Sequence, residues 1–127
     1  MPKSAEKDIR TYLPKQIKVG PYIYEISIEN LAKQEVHGLC NFEERKISIA
    51  SELDFDLDNP NVVYVLEVFL HESLHAFNYN CGLRTMNFKK MKNDEVEEEF
   101  VDQTARNFVQ LITDNPSLIK LFSLFEK

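Results

Sequence analysis

Apolar and polar positions alternate between Ile17 and Ile28, with Tyr22, Tyr24, Ile26 and Ile28 set against Ile23, Glu25 and Ser27. A period of two is the mark of a strand with one buried face, and Gly20-Pro21 breaks the run into strand, turn and strand. Val36 to Phe42 and Lys46 to Ala50 read as a hairpin around Glu43-Glu44-Arg45, with Ile47 and Ile49 on one face and Lys46 and Ser48 on the other. These segments predict an antiparallel sheet of three or four strands, with one face free to cover with helices.

After the acidic stretch from Ser51 to Asn59 the period changes. Asn59 can cap a helix whose first residue is Pro60, and the apolar residues up to Asn80 nearly encircle it, which predicts a buried helix ending near Gly82. A second helix is expected from about Asp94 to Thr113, with Val96, Phe100, Val101, Ala105, Phe108, Leu111 and Ile112 on its apolar face. Asn115-Pro116 restarts the chain as a short third helix that closes the core. Residues 1–16, polar and ending near Pro14, read as a flexible or short helical segment. The expected architecture is thus α+β, with a single domain over residues 17–127 and no internal repeat.

Composition narrows the range of partners. The chain has 127 residues, 43% of them apolar, and a formal net charge of −6, which suits one compact domain and lacks the basic footprint of a nucleic-acid binder. The apolar run from Val62 to Leu70 is interrupted by Glu67 and is too short to span a membrane. Without a recognisable secretory leader, the expected location is the cytoplasm. Cys40 and Cys81 have no paired spacing and are expected to be reduced.

The chemistry gathers in His71-Glu72-Ser73-Leu74-His75, an HExxH motif. Residues i and i+4 of a helix share a face with Cβ atoms about 6 Å apart, so two imidazoles can hold one Zn²⁺. The glutamate between them leans aside, as a general base must if it is to reach water and not the ion. A catalytic zinc takes a third protein ligand, and the acidic start of the second helix offers Glu97, Glu98 and Glu99. The helical wheel leaves Glu99 on the wet side, Glu97 near the centre of the apolar face and Glu98 at its edge. Asp94-x-x-Glu97 is also a capping box, which would turn Glu97 back to the helix start. Glu98 is therefore preferred and Glu97 kept as the alternative, with Asp102, one turn on, placed to hold a liganding imidazole.

Two strands, an HExxH helix and a helix opening with Glu98-Glu99-Phe100-Val101-Asp102 resemble the gluzincin zinc metallopeptidases, in particular the minimal phage and prophage members related to the ImmA/IrrE peptidases. The resemblance covers roughly residues 17–125, with Val101 standing where that family has alanine. It implies one Zn²⁺ per chain held by His71, His75 and Glu98, Glu72 as catalytic base, a protein or peptide substrate, and a bacterial or phage-infected host cytosol as setting.

The function expected is hydrolysis of peptide bonds by water activated at the metal. The alternative is a zinc-binding regulatory or interaction protein that keeps the fold without turnover. A third reading makes Glu67, His71, Glu72 and His75 a polar helix face at a protein interface. Further residues near the motif are Glu67, able to orient His71; His37, on a strand that would border the cleft; and Tyr79 and Arg84, candidate oxyanion donors. Asn78 and Asn80 read as helix termination, and Lys89, Lys90 and Lys92 as a solvated loop.

Overall fold

A computed structural model describes residues 7–81 and 93–125. Four strands, β1 (Gln16–Val19), β2 (Tyr22–Glu29), β3 (Gly38–Asn41) and β4 (Lys46–Ala50), are followed by three helices, α1 (Val63–Cys81), α2 (Asn93–Asp114) and α3 (Ser117–Ser123). The α+β class, the sheet, the two long helices and the short last one are all present. Gly20, at φ 59°, turns β1 into β2, and Arg45, at φ 54°, closes the β3–β4 hairpin, where the Asn41 side chain accepts from the Glu44 N–H at 2.9 Å.

The sheet is mixed where an antiparallel meander was expected. Its order is β1-β2-β4-β3, and its central pair, β2 with β4, is parallel, in the register Ile26 to Ile47 and Ile28 to Ile49. Burial explains the order. In β4 the residues from Ile47 to Ala50 are all buried, Ser48 included, whereas in β3 Leu39 and Asn41 are exposed. The strand with two covered faces belongs in the middle, and the short one with a wet face belongs at the edge.

One face of the sheet, carrying Ile17, Val19, Tyr24, Ile47 and Ile49, meets Val65, Phe69, Ala76 and Phe77 of α1 and Leu111, Leu118 and Leu121 of the other helices in a single core. The leading segment joins it: Ile9 lies in a 3-10 turn from Ile9 to Thr11, is wholly buried, and donates its N–H to the Phe55 carbonyl at 2.9 Å. Asn59 caps the turn Pro60–Val62 that opens α1, accepting from the Asn61 N–H at 2.9 Å.

The wheel placed α2 correctly only in its last turns. Leu111 is buried, but Phe100, Val101, Phe108 and Val109 are exposed, and the line facing α1 runs through Gln103 and Asn107. Asn107 donates to the Asn78 side chain at 3.0 Å and accepts from Gln103 at 2.9 Å. Asn80 donates to the Tyr24 hydroxyl at 2.9 Å and to the Ala76 carbonyl at 2.8 Å. These asparagines serve tertiary contacts as well as the helix end.

Asn115, after α2, is the clearest such contact. It is buried, accepts from the Lys18 N–H at 2.7 Å and donates to the Lys18 and Leu111 carbonyls at 3.1 and 2.9 Å. It thus completes the outer edge of β1 and the end of α2 with one side chain. Asn115→Ala strands these groups and should cost about 1–3 kcal/mol in denaturant unfolding; an unchanged midpoint would show that the latch carries no stability.

On the other face of the sheet, the Ser48 hydroxyl and then the Lys46 ammonium, at 2.9 Å, hold the Glu29 carboxyl below its ordinary range. On acidification the unfolded chain protonates here first, so the stabilisation is complete above the ordinary value of 4.5 and is lost as pH falls through the lower folded value. Unfolding midpoints followed from neutral to acid pH should therefore fall less steeply for Glu29→Gln than for wild type.

Candidate metal and cleft site

α1 carries the motif because its buried stripe locks its rotation. Val65, Val68, Phe69, Glu72, Ser73, Ala76 and Phe77 point inward, and the helical period then turns Tyr64, Glu67, His71 and His75 outward. Ser73, wholly buried inside the motif, is satisfied by donating to the Phe69 carbonyl at 2.8 Å. The helix is therefore not encircled by core, and His71 and His75 are exposed instead of forming the buried pair that its apolar residues had suggested. Desolvation of the imidazoles gives no argument for a metal, and their spacing is that of a ring-to-ring hydrogen bond as well as of a metal edge.

The two Nε2 atoms lie 3.1 Å apart and the rings meet edge to face, with centroids 4.6 Å apart. Two nitrogen ligands about 2.05 Å from a tetrahedral ion stand about 3.3 Å apart, so the pair fits a zinc edge with little adjustment. Glu72 lies beside it, only 8% exposed, with Oε2 4.0 Å from the His71 Nε2. That gap suits a shared water better than a direct bond. Burial pushes the Glu72 carboxyl above its ordinary range, and the positive charge that His71 and His75 can carry pulls it back.

Gly38 fixes how closely Glu72 approaches the sheet. A Cβ there would sit 2.7 Å from Val68 Cγ1 and 2.9 Å from both Cγ and Oε2 of Glu72. Only the residue without a side chain lets α1 lie this near β3. Together they bound a cleft of about 340 Å³, with Val36, His37 and Gly38 on the strand side and Tyr64, Glu67, Val68, His71 and Glu72 on the helix side. His37 shares a 2.7 Å hydrogen bond through Nδ1 with the Tyr64 hydroxyl, their rings edge to face, and its Nε2 is 3.9 Å from a Glu52 oxygen. The position of His37 beside the cleft was legible; Tyr64, two turns before His71, was not singled out, although the helical period alone aligns it with Glu67 and His71.

Other expected residues lie elsewhere. Glu98 is exposed, and among the described residues no three His, Cys, Asp or Glu side chains converge into a metal-holding group, so Glu98 is not brought to the two imidazoles. The hydrogen bond that ties α2 to α1, from Asn107 to Asn78, lies two and a half turns, about 13 Å along the axis, beyond Glu98. Glu99, expected on the wet side, is half-buried, and Asp102, expected to brace a histidine, is exposed with no hydrogen bond to either. The Glu97 and Asp94 side chains, Gly82, Arg84 and the three lysines of the loop lie outside the described residues, as does the Cys81 side chain. Tyr79 stacks on Phe42 at 4.1 Å between ring centroids, away from the cleft lining. Cys40 is a half-buried thiol pushed up to about 12, chiefly by burial and then by the Glu72 charge, which makes it a poor thiolate ligand.

No protein-family model, curated protein or solved structure matches this chain significantly. No helix among the described residues is long and apolar enough to cross a membrane.

The contact at Gly38 can be tested by stability alone. Gly38→Ala overpacks the joint between β3 and α1 and should cost about 1–3 kcal/mol. Leu39→Ala, at a partly exposed neighbour, should cost less. Equal effects in denaturant unfolding would remove the close approach as a constraint.

Proposed function

We propose that this chain is a zinc-dependent peptidase in which His71, His75 and Glu98 hold the ion and Glu72 is the general base. The observation that carries the reading is the pair of imidazole nitrogens 3.1 Å apart beside a sheltered carboxylate, with His71 and Glu72 lining one end of a cleft along an edge strand. Bound Zn²⁺ would supply Lewis acidity, bringing the pKa of water toward ~7 and polarising a carbonyl. Glu72 accepts a proton from the attacking water and returns it to the leaving amine. Burial raises its proton affinity, the direction that favours taking up the water's proton. The unpaired side of β3 offers backbone groups to an extended peptide. The HExxH helix and the Glu98-to-Asp102 segment also support a setting in the cytosol of bacteria or phage-infected cells, through their resemblance to the ImmA/IrrE peptidases.

The third ligand is the demanding part of this reading. The side-chain contact between α1 and α2 at Asn78 and Asn107 is one neutral hydrogen bond, worth about 1 kcal/mol net. Drawing Glu98 in requires that the gain from adding it as third ligand exceed that bond and the packing of the N-terminal part of α2. A second reading is a zinc-binding regulatory protein without turnover; the exposure of Glu98 and the lack of a three-donor group among the described residues weigh instead toward the third, in which Glu67, His71, Glu72 and His75 form a polar helix face at a protein interface without a metal.

Elemental analysis and a peptide-library digest separate these readings. Wild type should carry one zinc per chain, His71→Ala and Glu98→Ala should lose it, and Glu97→Ala should keep it. Glu72→Gln should retain zinc while hydrolysis falls roughly a hundred- to ten-thousandfold. Zinc without hydrolysis in wild type selects the regulatory reading, and a wild type that takes up no zinc sinks both zinc readings.

A further inference from the structure

The cleft has two ends. His71 and Glu72 occupy one; the hydrogen-bonded pair of His37 and Tyr64 closes the other, seven residues or about 10 Å earlier along α1. Glu67 lies between them, about 6 Å along the axis from His71, close to the repeat of alternate residues in an extended peptide. The volume of about 340 Å³ is near the lower limit for ligand pockets and suits one long side chain.

The lining defines what that side chain must be. Val36 and Val68 supply aliphatic walls and Tyr64 an aromatic face, while the charged groups, Glu67 and Glu72, are both carboxylates. Among the described residues no lysine or arginine lines the cleft. Glu67 makes no hydrogen bond or ion pair within the described residues. An anionic acceptor without a partner among the described residues, at the side of an aliphatic and aromatic channel, is complementary to an alkyl stem ending in a cation.

Resting on the peptidase reading, we propose that the cleft binds a lysine or arginine side chain of an extended peptide substrate, with Glu67 as the residue that recognises its charge. The peptide backbone runs along β3, the edge strand, and the basic side chain drops between Val36 and Val68 toward Glu67. Glu67 is then a specificity residue, not an orienter of His71, and the two roles have different consequences on mutation.

The test uses full-length, zinc-loaded Glu72→Gln protein and fluorescent extended peptides that differ at one central residue: Lys, Arg, Gln, Leu or Glu. Fluorescence anisotropy should show the Lys and Arg peptides binding about tenfold tighter than the Gln and Leu peptides, as expected for one charged hydrogen bond. Adding Glu67→Gln should abolish that preference, and Glu67→Lys should turn it toward the Glu peptide, with zinc content unchanged in both. Loss of zinc in Glu67→Gln would assign Glu67 to the metal site and overturn the proposal. So would a basic preference that survives Glu67→Gln, or the absence of binding by any peptide. The same titration on metal-free wild type keeps the outcomes distinct: a basic preference there stands even if hydrolysis fails, and its absence counts against Glu67 even if hydrolysis succeeds.

Discussion

The approach of α1 to the edge strand at Gly38 is the constraint on which the rest of the site depends. One missing methyl group lets Val68 and Glu72 lie against β3, so Glu72 is at once sheltered by the sheet and presented to the cleft. Move the helix out by the width of a side chain and Glu72 becomes an ordinary exposed carboxylate, with no burial to raise its proton affinity. Polar chemistry at the cleft is thus set by a contact that is itself steric.

That contact exists because of the strand order. With β4 inside and β3 outside, the hairpin puts its exposed strand at the rim, where the core-facing side of α1 overlaps it. In a sequential meander β4 would be the edge and its buried residues would face solvent on one side. The parallel pairing of β2 and β4 is therefore part of how the cleft is built, since it carries the least buried strand to its rim.

What the sequence made legible follows from the range of each interaction. The spacing of His71 and His75 is local to one helix, and the structure places their nitrogens together as the helical period requires. The capped start at Asn59, the turn at Gly20 and the alternation of β1 and β2 are local too. Tertiary choices were not legible in the same way. Ser48 alternates like a solvent-facing residue yet is buried under the chain that follows β2, and the apolar positions of α2 looked inward although Gln103 and Asn107 face α1. A wheel reports which residues prefer burial, but it cannot weigh that preference against a satisfied polar contact elsewhere on the same helix.

The hold on α2 bears on the third ligand of the proposed metal site. Its C-terminal end is anchored by buried Leu111 and by the three hydrogen bonds of Asn115 to β1 and to the helix itself. Toward the N-terminus its contacts include the Asn107–Asn78 bond and the Gln103 neighbour of Asn107, while Phe100 and Val101 remain exposed. Glu98 and Glu99 lie toward that N-terminal end. Bringing Glu98 to His71 and His75, as the proposed metal site requires, would mean giving up the Asn107–Asn78 bond together with the packing around half-buried Glu99 and Gln103.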